Sequence, residues 1–228
     1  MNTLLGQPDA IPVSLGWSCH MALYIQELGD MERRRHERHV FDWFGSPMWS
    51  ICELIDLDFE GMTDRTKIIP RRRYIENFKE ILSHTEYELR FLHEFKDDRN
   101  ITDDEWKQFE EKYKRRVQRF RDLLTMAKQT NRKIIFFRLE QIFHNRIQYI
   151  NRFENEDFYV NYFAEQMRQR GIRFQIIYLT TNPVRGYKNN IIYVPFAKDK
   201  PDREIGFNQI QEIIKANLSY IREALRAV

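Results

Sequence analysis

Only two cysteines, Cys19 and Cys52, occur in 228 residues, too few for a secreted scaffold stapled by disulfides. The pair points to a reduced, intracellular and most simply cytoplasmic protein, although one Cys19–Cys52 bridge is compatible with the count. Long apolar runs are missing as well. The longest, such as Ile134-Ile135-Phe136-Phe137, span a few residues against the ~20 needed to cross a bilayer. The N-terminal stretch Met1-Asn2-Thr3-Leu4-Leu5-Gly6 has no basic segment and no apolar core of the signal-peptide kind. Net charge is only +3, which argues against a dominant nucleic-acid role, and the basic residues are clustered locally at 33–35, 71–73 and 114–116. Internal repeats and low-complexity segments are absent too.

What is present is an aromatic-rich chain, with 42% hydrophobic residues, enough for a sizeable core in one domain spanning 1–228. Ile11-Pro12-Val13-Ser14-Leu15-Gly16 reads as a short strand ending at a glycine. The amphipathic run Met21, Leu23, Tyr24, Ile25, Leu28, closed by Gly29, reads as a helix. Cys19 then falls in the first turn of a helix, at the carboxyl end of a strand. Free backbone N–H groups and the positive end of the helix dipole favour a thiolate there, and such edges are where α/β sheets hold ligands.

Further along, Val40 to Pro47 suggests a short strand or buried turn around Asp42, and Ser46-Pro47 a helix start leading through Trp49, Ile51, Cys52, Leu54 and Ile55. Cys52 reads as a buried, inert thiol. Residues of about 58–100 read as a less regular insertion or lid, with Lys67–Pro70 and Tyr87–Phe95 as candidate strands. Thr102-Asp103-Asp104-Glu105 is a capping box that opens a long helix with a stripe of Trp106, Phe109, Tyr113, Val117, Phe120, Leu124 and Ala127, ended by Asn131. Strands are expected at 133–139, 174–179 and 191–194, and helices at 141–151, 156–170 and 207–228. Strands alternating with helices predict an α/β fold: three layers, a mostly parallel central sheet flanked by helices, with an irregular helical insertion. Arg138, Glu140, Thr180, Thr181 and Asn182 would then share one sheet edge with the Gly16 turn.

A cysteine nucleophile needs a base or a cationic neighbour. His20, adjacent to Cys19, points about 100° away around a helix. His93 sits among Phe91, Leu92 and Phe95, as a core histidine also would. Asp42, between Phe41 and Trp43, is either paired with a cation or functional. Arg115 and Arg119 share a helix face, which reads as a solvated basic face or as an anion clamp.

Ser14-Leu15-Gly16-x-x-Cys19-x-x-Ala22-Leu23, Phe41-Asp42-Trp43 with Ser46-Pro47, His93-Glu94-Phe95, Tyr113-Lys114-Arg115-Arg116-x-x-Arg119-Phe120 and Phe136-Phe137-Arg138 occur in an order that resembles the DUF1796 family of papain-like cysteine peptidases, over roughly residues 11–200. The family pattern has an aspartate where this chain has Glu94. The resemblance implies Cys19 as nucleophile, His93 as its base or acid and Asp42 as an orienting acid. Gly16, Ser18, Trp43, Arg115, Arg119 and Arg138 are the expected substrate-binding residues. A peptide or an acylated or anionic small substrate is implied, no metal or cofactor is expected, and composition argues against a membrane or nucleic-acid partner.

Papain-like enzymes carry their histidine on an antiparallel sheet in a second lobe, whereas Cys19 here follows the first strand of an α/β sheet. That layout is similar to SGNH-type esterases and glycan acyltransferases, in which a Gly-x-(Ser/Cys) turn supplies the nucleophile, although Gly16 and Cys19 stand one residue further apart. An esterase or acyltransferase, or a non-catalytic anion- or nucleic-acid-binding module, are the rival readings.

Overall fold

The computed structural model describes residues 9–16, 19–31, 38–72, 80–91, 94–95, 100–140, 156–197 and 205–227. In chain order the elements are β1 (Ile11–Ser14), α1 (Cys19–Met31), β2 (Phe44–Gly45), α2 (Met48–Asp56), β3 (Ile68–Arg72), β4 (Glu80–His84), β5 (Arg90–Phe91), α3 (Asp103–Thr130), β6 (Ile134–Leu139), α4 (Glu156–Gln169), β7 (Phe174–Thr180), β8 (Gly186–Lys188), β9 (Ile191–Pro195), α5 (Phe207–Ala216) and α6 (Leu218–Arg226). The helix expected at 141–151 lies outside the described residues.

A five-stranded sheet runs β1-β6-β7-β9-β8, parallel throughout except for the β8–β9 hairpin. Its strands are apolar on successive residues because both faces are covered. Alternation along β6 sends Ile134 and Phe136 into one core, with α2, α3 and α4, and Ile135, Phe137 and Leu139 into the other, with α1, α5 and α6. The α/β class and the three layers follow from that division.

The insertion differs from the expectation of irregular helical structure. Residues 44–91 contribute a four-stranded antiparallel sheet, β2-β5-β4-β3. Its strands are short, which hides the period-2 signal: β5 has two residues, and β4, Glu80-Ile81-Leu82-Ser83-His84, does not alternate. Ile68, Leu82 and Phe91 from this sheet join Val13 and Phe136 in one core cluster.

The long helix α3 begins as expected. The Thr102 hydroxyl oxygen accepts from Glu105 N at 3.2 Å, the Glu105 carboxylate accepts from Thr102 N at 3.0 Å, and Asn131 closes the helix in the left-handed region (φ 52°). The single helix expected over 207–228 is two. Asn217, at φ −107° and ψ 9°, lies between α5 and α6, and its side-chain amide donates to Ile213 O (2.8 Å) beside its backbone N–H (3.2 Å). Among the described residues no helix is long and apolar enough to cross a membrane.

Candidate active site

The first loop at the sheet edge is built by glycine. Leu15 N donates to Phe137 O at 2.9 Å, prolonging the β1–β6 pairing, and Gly16 then adopts φ 70°, which any side chain would resist. Its N–H donates to Ser14 Oγ at 3.1 Å. Three residues later Cys19 opens α1 as a partly exposed thiol outside any disulfide. Ser18 lies outside the described residues. Cys52 is in no disulfide either, so no bridge joins the two. It is buried in α2, its thiol donates to Tyr159 O at 3.4 Å, and burial, followed by the nearby Asp56 and Glu156 carboxylates, pushes its pKa far up.

Arg138 ties this loop to the next. It is fully buried near the end of β6. Its Nη1 donates to Leu15 O at 2.8 Å and to Ser46 O at 2.9 Å, while Nε donates to Glu156 Oε1 at 2.6 Å. Glu156 also accepts from the backbone N–H of Met48 at the start of α2. Burial raises its carboxyl pKa, and the guanidinium opposes the rise. One side chain thus fixes the Gly16 turn, the Ser46 loop and the first residue of α4. Further along the same edge, Glu140 accepts from Thr181 N at 2.5 Å and from the hydroxyls of Thr180 (3.1 Å) and Thr181 (2.8 Å), and Asn182 N donates to Thr180 Oγ1 at 3.1 Å. These four residues cap the sheet edge through one another.

Asp42 lies in a tight turn, fully buried. Asp42 N donates to His39 O at 3.3 Å, and His39 N donates back to Asp42 Oδ2 at 2.9 Å. Trp43 follows at φ 72°, an uncommon conformation for a large residue, with the Arg38 guanidinium 5.1 Å above its ring. Phe41 packs edge-on against Phe120 at 5.2 Å, and Arg116 Nη1 reaches Asp42 O at 3.5 Å.

The same Arg116 stands 3.7 Å from Glu94, whose side chain is 3% exposed. Tyr113 Oη donates to Glu94 Oε1 at 2.8 Å, and Lys112 Nζ donates to the other carboxylate oxygen. Burial, then the guanidiniums of Arg116, Arg38 and Arg115, lower the Lys112 pKa to about 8, against the pull of the carboxylate it holds. His93 lies outside the described residues. Its described neighbours do not: Phe91, in β5, pairs with Phe44, and Glu94 is held by the arginine that also reaches Asp42.

Arg115 and Arg119 are exposed on α3, and Arg119 Nη1 donates to Arg38 O at 3.3 Å. Sequence reasoning missed Arg116, the buried arginine of this group. Its signal was its phase, since 109, 113, 116 and 120 fall on the buried stripe. Of the other histidines, His20 is partly exposed, and His36 and His144 lie outside the described residues. His84 is buried, its Nδ1 accepting from Glu86 N (3.2 Å) and Tyr87 N (3.1 Å) and its Nε2 facing Gly61 O at 3.0 Å, which makes it a neutral turn-former. Among the described residues no group of three or more His, Cys, Asp or Glu side chains could hold a metal ion.

A family model described as "Putative papain-like cysteine peptidase (DUF1796)" matches residues 11–182, from β1 to the loop after β7. The chain belongs to the DUF1796 family. The matched span contains the Gly16 turn, the Asp42 turn, the antiparallel sheet, the arginine-bearing face of α3 and Arg138, whereas α5 and α6 lie beyond it. No curated protein and no solved structure matches this DUF1796 chain.

Proposed function

We propose that the protein is a cysteine-dependent acyl hydrolase acting on peptides, with Cys19 as the nucleophile, His93 as its general base and acid, and Asp42 as the group that holds the site's charge and orientation. One observation carries this reading over the esterase alternative. Cys19 opens a helix, while the histidine belongs to the segment that directly follows β5 of a separate antiparallel sheet. Papain-like enzymes also take the cysteine from a helix start and the histidine from an antiparallel sheet, and this likeness supports the reading.

The chemistry follows from the layout. A thiolate at Cys19 attacks the scissile carbonyl, the bond to the leaving amine breaks as that amine takes a proton from the imidazolium, and water then releases the acyl group from sulfur. Backbone N–H groups at the start of α1 are aimed where the oxyanion forms. Gly16 leaves the carbonyl room to approach, and Ser18 and Trp43 flank the substrate. We assign Arg138 a positioning role rather than a substrate contact, since its donors hold Leu15, Ser46 and Glu156 in place.

The test is a panel of peptide amide, peptide thioester and acetyl ester substrates offered to the full chain and to its Cys19→Ala variant. Peptide cleavage lost by at least about a thousandfold in the variant, with thermal unfolding unchanged, is the expected result. Cleavage that survives the substitution would overturn the reading, and turnover of acetyl esters alone would move it to the esterase class.

A further inference from the structure

Arg38, beside the Asp42 turn, and Arg115 and Arg119 on α3 are exposed and engage no carboxylate among the described residues. Arg115 and Arg119 stand one helical turn apart on α3, about 6 Å in rise, and Arg119 Nη1 donates to Arg38 O at 3.3 Å. The Arg38 guanidinium in turn lies over Trp43, 5.1 Å from its centroid. Arg119 thus reaches the backbone of Arg38, whose own side chain lies beside the turn that holds Asp42. Glu111 and Asp122 sit a turn from Arg115 and Arg119 without engaging them, and Asp122 takes its bond from Gln118 at 2.8 Å. Arg115 and Arg119 are like charges at i, i+4, which destabilises a helix where no carboxylate bridges them.

Resting on the peptidase reading above, we infer that Arg38, Arg115 and Arg119 form a subsite for an acidic residue of the peptide substrate. A guanidinium presents two parallel N–H donors that match a carboxylate, and two such forks one turn apart suit one or two Asp or Glu side chains rather than a long polyanion. The depressed Lys112 pKa, with Arg116, Arg38 and Arg115 among its causes after burial, is the mark of a positive potential at this surface. Trp43 supplies an apolar wall beside the Arg38 guanidinium.

Two measurements separate this subsite from the catalytic reading. The first is the fluorescence anisotropy of a labelled decapeptide with two central glutamates, and of its glutamine counterpart, titrated with the full-length Cys19→Ala protein. The glutamate peptide is expected to bind about tenfold tighter than the glutamine one. The preference should vanish in the Arg115→Ala/Arg119→Ala background, whose thermal unfolding checks the fold, and reverse in Arg115→Glu. Equal affinity for both peptides overturns the subsite, as does displacement of the peptide by an equimolar uridine decanucleotide, which would mark a nucleic-acid surface.

The second is acyl transfer to wild-type Cys19 from thioesters of the same two peptides, read by intact mass. Faster transfer from the acidic thioester supports subsite and nucleophile together. Arginine-dependent binding without any Cys19 adduct keeps the subsite and removes the nucleophile. Equal transfer from both removes the subsite and keeps the nucleophile.

Discussion

His84 shows how a histidine is read from its bonds. Its Nδ1 accepts two backbone N–H groups, so the ring must be neutral, and burial lowers its pKa. As pH falls through the ordinary value of about 6.5, the unfolded chain takes up a proton that the folded chain refuses. The stability His84 contributes is therefore complete above that pH and is lost below it. Urea midpoints measured from pH 7.5 to 5 are expected to fall in the wild type, and to fall less steeply in His84→Asn. Identical slopes would show that the ring titrates freely in its turn. Glu94 makes a similar point from the acid side. Where the family pattern has an aspartate, the longer side chain here reaches the Tyr113 hydroxyl, Lys112 and Arg116 together.

Among the elements, those with long periods were legible and those with short ones were not. The stripe Trp106, Phe109, Tyr113, Val117 and Phe120 and the capping box identify α3 from sequence alone, because 28 residues repeat one pattern many times. The antiparallel sheet escaped because two to five residues per strand cannot establish a period, and its pairing is set by partners far away in the chain. The Gly16 turn and the placement of Cys19 at a helix start were legible because glycine, strand and amphipathic run each leave a local mark. The joint made by Arg138 was not, since nothing near Arg138 in sequence announces that it will bond Leu15 and Ser46. That joint is open to test. Arg138→Gln strands the Glu156 carboxylate in a buried position and frees two carbonyls, so a loss of about 3–5 kcal/mol is expected in equilibrium urea unfolding. A loss below about 1 kcal/mol would mean that the three elements hold their places without it.

At the scale of the molecule, the two sheets share a core. Ile68, Leu82 and Phe91 from the antiparallel sheet pack in the same cluster as Val13, Leu15 and Phe136 from the parallel one. The second sheet is therefore not a lid hung on a hinge, and the chain is expected to unfold as one unit. Leu82→Ala, a deletion in a side chain 2% exposed, should cost about 2–5 kcal/mol and shift the near- and far-ultraviolet dichroism transitions together. Transitions that separate, with only the smaller shifted, would show that the antiparallel sheet melts by itself.

The sheet order also fixes when the chain can acquire its first loop. β1 lies at an edge and pairs with β6 alone, Ile11 against Ile134 and Ser14 against Phe137. Among the described residues, the bonds that reach Leu15 beside the Gly16 turn come from 122 and 123 residues downstream, at Phe137 and Arg138. A ribosome that has released the first hundred residues has exposed Cys19 without the strand that seats it. The thiol leaves the exit tunnel early and waits for β6, so growing chains carry no seated Cys19 until more than half the protein has been made.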